Sequence, residues 1–269
     1  MSSEMPHDIT TPVIRNDHLG HGNHLLEFAD AAMAQAMRPA QFFMIGVPGS
    51  ETLLRRPYSV CGLPGTFGDG APSTLQVLYK VYGRGTALMA SLAPGAAITV
   101  LGPLGRGFGE PEARPVFVAG GIGAAPFPAF ARHLAGRTER PLMFYGARSA
   151  GDLALLDWFS AHTELVTCTE DGSRGRAGLV TGPLRELLAS KPAGGVHLFA
   201  CGPDPMLRAV CTLALTHGAA CDLALEAHMA CGFGVCLGCV VPTRDASGRF
   251  AYERVCVEGP VMRAERMAW

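Results

Sequence analysis

Three of the chain's nine cysteines fall within nine positions, in EAHMACGFGVCLGCVVP (226–242), and a fourth follows at Cys256. The pattern over Cys231, Cys236, Cys239 and Cys256 is C-x4-C-x2-C-x16-C. Thiolates spaced this closely can converge only where the backbone turns back tightly on itself. Gly232, Gly234 and Gly238 lie between them, where such a loop needs positive φ and backbone N–H groups aimed at sulfur. The first two intervals are those of a plant-type [2Fe–2S] loop. Two other readings stay open. Zinc sites more often join two matched C-x2-C pairs, of which one is present, and buried structural thiols need no metal. An odd cysteine count and a reducing compartment both disfavour disulfides. The remaining cysteines, at 61, 168, 201, 211 and 221, are scattered and read as core thiols, with Cys201 set apart by its place in a glycine turn.

The rest of the chain must supply what a cluster lacks, since such a cluster passes single electrons and performs no organic chemistry. With 269 residues, 48% of them hydrophobic and 17% charged, the chain can bury the cores of two domains and a small appendage. A net charge of −1 without basic runs points away from nucleic acid and from a polybasic membrane anchor. No apolar run approaches the roughly 20 residues of a membrane span. The start, MSSEMPHDITTPVIRND, lacks a basic segment followed by an apolar one. A soluble, cytoplasmic protein is expected, with no membrane and no nucleic-acid partner.

Three textures divide the chain: 6–110, 111–222 and 223–269. In the first, β-like runs HLLEFAD (24–30), AQFFMIGV (40–47), TLQVLYKVYG (74–83) and AAITVLG (96–102) alternate with turn signals, as in a small antiparallel barrel. AAMAQAM (31–37) reads as a helical turn or a connection between barrel strands. In the second, strands PVFVAGG (115–121), PLMFYGARS (141–149), ELVTCTEDGS (164–173) and GGVHLFACGP (194–203) alternate with helix candidates at 125–136, 152–162 and 204–218. That rhythm implies a doubly wound parallel sheet. The third is cysteine-dense and loop-rich. The fold class expected is multi-domain: a β-barrel, an α/β domain and a small C-terminal domain.

Several short motifs could hold a flavin or a dinucleotide, and each has a plain structural alternative. RRPYSV (55–60) offers an arginine to a pyrophosphate, a tyrosine to an isoalloxazine ring and Ser59 to a ring nitrogen, or is a barrel strand with a surface arginine. GRGTALM (83–89) opens a helix with N–H groups at Gly85 and Thr86. LGPLGRGF (101–108) reads equally as a domain-joining turn. VAGGIGAAPF (118–127) sits at a strand-to-helix turn where α/β sheets bind dinucleotides, although Pro126 stands where a third glycine might. ACGPDPML (200–207) repeats that arrangement, so Cys201 could face a nicotinamide or be a small core thiol. GARSAGDL (146–153) places Arg148 where an adenosine ribose or its phosphate could lie.

The order of these motifs resembles the ferredoxin–NAD(P) reductase superfamily over nearly the whole chain. Within it the chain is similar to the electron-transfer subunits of type B dihydroorotate dehydrogenases. The resemblance rests on RRPYSV, GRGT, LGPLGRGF, GGIGAAP, GARS, EDGSRGRAGLVTGPL (170–184), ACGPDPML and LEAHMACGFGVCLGCVVP (225–242), the last being the most specific. It implies FAD held by Arg56, Pro57, Tyr58, Ser59, Leu78, Tyr79, Lys80, Gly85 and Thr86. It implies a [2Fe–2S] cluster on Cys231, Cys236, Cys239 and Cys256, and NAD approached by Gly121, Gly123, Cys201 and Gly202. Two departures are visible: Tyr58 replaces an aliphatic residue, and Arg106 stands where asparagine is usual.

The resemblance also implies a relay in pyrimidine biosynthesis. A partner subunit carrying FMN oxidises dihydroorotate, and its electrons pass through the cluster and FAD to NAD+, in a heterotetramer of two of each subunit. No acid–base residue is required; Glu226 and Cys201 are candidates for tuning the flavin–nicotinamide region. Phe233, Val235 and Leu237 either face the partner or pack over the cluster. Other readings are a diaphorase subunit of a sulfide-, hydrogen- or ferredoxin-linked complex, a zinc-bound binding module, and a stand-alone flavin reductase, which leaves the tail unexplained. NAD and NADP are not separated by the sequence, since Arg148 suits a phosphate while the resemblance favours NAD.

Overall fold

The computed structural model describes residues 6–68, 71–190, 194–245 and 247–269. The first five residues of the chain start considered above lie outside that range. Six antiparallel strands form the N-terminal unit: β1 (His7–Gly20), β2 (Asn23–Ala29), β3 (Phe42–Gly46), β4 (Arg56–Ser59), β5 (Thr74–Lys80) and β6 (Ala97–Leu104). Their order is β4-β3-β6-β1-β2-β5. Just beyond β4 the chain bonds back to β5, with Cys61 N–H donating to Gln76 O at 2.8 Å and Gln76 N–H to Gly62 O at 3.0 Å. The sheet therefore nearly closes into a barrel, which leaves few unpaired edge groups. Phe28, Phe43, Val77, Tyr79 and Val100 fill its core.

AAMAQAM is a helix and also the connection: α1 (Ala31–Ala36) runs between β2 and β3, capped by the Asp30 carboxylate, which accepts from Met33 N–H at 2.7 Å. A second short helix, α2 (Arg84–Ala90), follows β5. LGPLGRGF is less a turn than expected. Its first residues complete β6, and Arg106 N–H then donates to Gly259 O, fastening the barrel to the C-terminal segment.

The second unit is a sheet of β7 (Arg114–Gly120), β8 (Leu142–Ala147), β9 (Glu164–Thr169), β10 (Arg176–Ala177), β11 (Val196–Cys201) and β12 (Ala220–Ala224). Helices α3 (Phe127–Leu134) and α4 (Leu156–His162) pack on Phe117, Tyr145 and Phe199, while α5 (Thr181–Ser190) and α6 (Asp204–His217) pack on Val116, Val118 and Leu198. Alternate residues of β7 and β11 thus serve opposite faces, which makes the sheet doubly wound. Helix α5 was not anticipated, because Gly182 and Pro183 mask its period. Helices α3 and α4 start later than their sequences suggested, each after a 3₁₀ turn, over Gly121–Ala124 and Ala150–Asp152.

The tail forms a hairpin, β13 (Val240–Arg244) with β14 (Phe250–Arg254), and then returns to the large sheet. There β15 (Val261–Arg263) pairs antiparallel with β12, giving the order β10-β9-β8-β7-β11-β12-β15. The sheet is therefore not wholly parallel. Met262 buries its side chain in the core shared with α6 and covers the β12 edge. Among the described residues no helix is long and apolar enough to cross a membrane.

Candidate functional site

Strand β7 feeds β8 on one side, while β11 and β12 lie on the other, so the connections diverge between β7 and β11. Ligands of open α/β sheets bind outside the strand ends at such a point. The two glycine turns meet there in bare backbone contact. A Cβ on Gly123 would collide with the Cys201 carbonyl oxygen and lie 2.6 Å from Gly202 Cα; one on Gly120 would lie 2.8 Å from Met206 Sδ and Pro203 Cδ. Gly121 lines the cleft above, whereas Gly123 and Cys201 form the packed layer beneath it. Cys201 is buried, and desolvation pushes its thiol far above the ordinary range. Its side chain therefore acts as a neutral core group next to the turn.

Two clefts adjoin at this point. The larger, of about 640 Å³, runs over the ends of β7, β8 and β9, past Gly121, Arg148 and Glu170. The other, of about 510 Å³, lies against the barrel and is lined by Pro57, Tyr58, Ser59, Thr86, Gly202 and Met229 among others. Lys80, Tyr82, Ile122 and Glu226 border both. Two ligands occupying the clefts would meet at this common wall. Glu226 is exposed on this wall, yet the protein atoms crowded around the cleft partly desolvate its carboxyl and raise it above the usual carboxylate range. Because the folded-state value is raised, stability associated with this group is complete at low pH and is lost as pH rises. Glu226→Gln should match the parent at acid pH and become progressively more thermostable than it towards neutrality. Thermal melts across that range check this; a constant difference would contradict it.

The smaller cleft suits a flavin nucleotide. Tyr58 points its Oη to a buried position with no partner among the described residues, and burial, only partly offset by Arg56, pushes that phenol up to about 12. A buried hydroxyl without a partner is costly, and a ligand acceptor would satisfy it. The Arg56 guanidinium lies across Gly85, where a Cβ would come 2.5 Å from Nε, and Nη1 donates to Leu54 O at 2.8 Å. A phosphate-sized anion there would gain a charge-assisted contact.

The β5 segment behaves differently from expectation. Tyr79 turns into the barrel core, with its hydroxyl donating to Asn16 Oδ1 at 2.9 Å, so only its backbone is left for the cleft. Leu78 packs beneath against Ala125 and Ala154. Lys80 is ion-paired with Asp152, whose carboxyl the ammonium holds below its usual range. No local signal marked that pair, since its members stand 72 residues apart. Replacing Arg56 with methionine should weaken FAD binding by about 10- to 100-fold, the value of one or two charge-assisted bonds. Flavin retention through desalting and fluorescence titration would show it; unchanged retention would remove Arg56 from the site.

The four tail cysteines are all free thiols. Gly232 and Gly234 adopt φ of 80° and 93°, as expected of the loop. Gly238 does not; Leu237, at φ 57°, takes the left-handed position instead, and Gly238 N–H donates to Cys236 Sγ at 3.5 Å. Burial opposes ionisation of Cys231, but the backbone N–H groups of Cys236, Phe233 and Val235 outweigh it and bring the thiol down to about 6. Cys236 stands near Cys231, and both Cys239 and Cys231 stand near enough to Cys256 to bear on its ionisation. Among the described residues no three His, Cys, Asp or Glu side chains gather as a single-ion site.

The loop rests on the barrel. A Cβ on Gly232 would lie 2.9 Å from Met44 Sδ, and Met44 is the cross-strand partner of Pro57. The cysteines are therefore one strand from the flavin-like cleft. Phe233, Val235 and Leu237 are 51%, 74% and 60% exposed, so at least half of each side chain's surface is free.

Comparison with known proteins agrees with this layout. The profile of the iron-sulfur cluster binding domain of dihydroorotate dehydrogenase B matches residues 226–268, and that of the oxidoreductase NAD-binding domain matches 117–212. In structure the chain is similar to the NADH-dependent reduced ferredoxin–NADP oxidoreductase, with a TM-score of 0.81 at 24% identity over 96% of this chain and 90% of the other. It is also similar to a ferredoxin NADP+ reductase from Neisseria gonorrhoeae solved with FAD and NADP, with a TM-score of 0.66 at 18% identity over 78% and 92%. In sequence it is 36% identical to the dihydroorotate dehydrogenase B (NAD(+)) electron transfer subunit of Caldanaerobacter subterraneus over 85% of this chain and 86% of that one. The corresponding subunit of Bacillus caldolyticus is 37% identical over 86% and 88%. At this identity over most of its length, the chain belongs to the family of electron transfer subunits of dihydroorotate dehydrogenase B (NAD(+)).

Proposed function

We propose that this protein relays electrons between a dihydroorotate-oxidising, FMN-bearing partner subunit and NAD+, in a complex of two copies of each. The observation carrying this reading is the contiguity of three sites. The cysteine loop sits on Met44, opposite Pro57 of the flavin-like cleft. That cleft in turn shares Lys80, Tyr82, Ile122 and Glu226 with the dinucleotide-like cleft. Bound FAD would exchange a hydride for two single electrons, and a [2Fe–2S] cluster would supply the one-electron port.

Each residue set has a task that follows from its place. Arg56 and the turn at Gly85 anchor phosphate; Pro57, Tyr58 and Ser59 form one wall against the flavin ring; Thr86 holds the turn by accepting from Tyr82 and Gly83 N–H. Gly121 lets a nicotinamide approach the common wall, and the packed Gly123–Cys201 contact keeps that surface from moving. Such fixed orientation is the main contribution a protein makes to a hydride step. The Lys80–Asp152 pair ties barrel to sheet beside both clefts. Phe233, Val235 and Leu237 surround the exposed Cys236 and form the face offered to the partner. Nine reduced cysteines suit the cytoplasm.

The test is anaerobic isolation of the tagged protein from its own host, followed by assay for dihydroorotate-dependent reduction of NAD+. Activity with a co-purifying FMN protein supports the proposal. An eluate that oxidises NADH with ferricyanide but ignores dihydroorotate keeps the relay and refutes the pyrimidine assignment in favour of another diaphorase complex. Iron-free, zinc-containing, colourless protein would refute the relay itself.

A further inference from the structure

Arg254 closes strand β14 two positions before Cys256, and it is the hub of a polar arrangement that the relay reading leaves unused. Its Nη1 donates to Gly234 O at 3.0 Å, within the loop joining Cys231 to Cys236. Its other nitrogens fork onto Glu258, with Nε to Oε2 at 3.1 Å and Nη2 to Oε1 at 2.6 Å. Glu258 Oε2 also accepts the Arg254 backbone N–H at 2.8 Å. A forked pair bonded a third time through the backbone holds one geometry far better than a simple surface ion pair. Residue 234 is in turn only two positions from Cys236 and three from Cys231. Val257 Cγ2 would lie 2.6 Å from any Cβ added there, so only glycine fits. At the base of the same hairpin Val255 N–H donates to Cys239 O at 3.0 Å. Arg254 therefore braces the loop of Cys231 and Cys236 against the segment that carries Cys256 and is bonded to Cys239 through Val255, which keeps its guanidinium beside the cysteine cluster.

We propose that Arg254 is a positioning residue that sets the reduction potential of the cluster held by the four cysteines, with Glu258 as its counterweight. This rests on the assignment of those cysteines as ligands. Reduction adds one negative charge to a group already bound by four thiolates. A fixed cation nearby favours the reduced form, and a fixed carboxylate favours the oxidised form. Paired, the two charges nearly cancel at the sulfurs. Removing either one exposes the other, so the two single variants must move the potential in opposite directions. A purely structural brace has no such sign: losing either partner would loosen the same loop in the same way.

The experiment is a potentiometric titration of Arg254→Gln and Glu258→Gln in the purified holoprotein, followed by the EPR signal of the reduced cluster. At a fixed solution potential the reduced-to-oxidised ratio should fall about tenfold in Arg254→Gln and rise about tenfold in Glu258→Gln, which is about 59 mV each way for a one-electron couple. Arg254→Lys, which keeps the charge and loses the fork, should recover most of the first shift. Shifts of the same sign in the two glutamine variants, or no shift in either, overturn the proposal. If Arg254→Gln fails to take up a cluster, Glu258→Gln decides alone, since it leaves the bond to Gly234 in place: an upward shift supports the role, and any other result ends it. Absence of a reduced-cluster signal from the parent protein would instead overturn the ligand assignment beneath it.

Discussion

Replacing Cys256 with serine should lower dihydroorotate-dependent NAD+ reduction by at least about 100-fold, at or beyond the upper end of what perturbing a metal site's outer shell costs. NADH-dependent reduction of ferricyanide should survive, because Cys256 lines neither cleft. Cys256 is buried, and desolvation together with its neighbours Cys239 and Cys231 pushes the thiol up to about 12. A thiol held protonated in this way loses its proton most readily when a cation is there to receive the sulfur, so metal binding and ionisation of Cys256 are coupled. The two assays on one preparation separate the one-electron port from the flavin–nicotinamide half. Retention of both activities at parental level would remove Cys256 from the cluster. Loss of both would point to collapse of the tail, whose strand β15 is part of the large sheet.

The second large effect is expected at Gly123. An alanine methyl there meets the Cys201 carbonyl and Gly202 Cα, which are backbone atoms and cannot swing aside as a side chain can. Relief requires the two turns at the switch point to separate. Overpacking of this kind costs about 1–3 kcal/mol, and a displacement of about 1 Å in a hydride-transfer geometry costs about 100-fold. Gly123→Ala should therefore lose about 100-fold in kcat/KM for NADH with ferricyanide as acceptor and melt at a lower temperature. Gly121→Ala is the control. It has open space around its Cβ and only the strain of φ 52°, so a smaller loss is expected. Equal effects at the two positions would show that the contact with Cys201 positions nothing.

Motifs whose chemistry lies within a few consecutive residues were legible in the sequence. RRPYSV, GGIGAAP and ACGPDPML each sit where their local pattern placed them, at a strand or a strand-to-helix turn, and the cysteine run forms the loop between β12 and β13. What a single residue faces was less legible. Tyr79 and Lys80 are neighbours, yet one enters the barrel core and the other ends on Asp152. Gly238 looked like the third strained glycine of the loop, but the left-handed position falls on Leu237. Helix α5 was hidden by Gly182 and Pro183, and β15 by its three-residue length.

The amino-acid sequence by itself determined the order of barrel, nucleotide sheet and cysteine tail, and the short-range geometry of each motif. Covalent spacing and hydrophobic period act over a few residues and need no distant partner. Only the tertiary structure decided which face of a strand meets which unit, that the tail completes the large sheet, and that Lys80 pairs with Asp152 and Arg254 with Gly234. The tertiary structure also brought Met44 under Gly232, and so placed the cysteine loop beside the flavin-like cleft. Those contacts depend on how separately formed surfaces fit when they pack, and no local pattern carries that information.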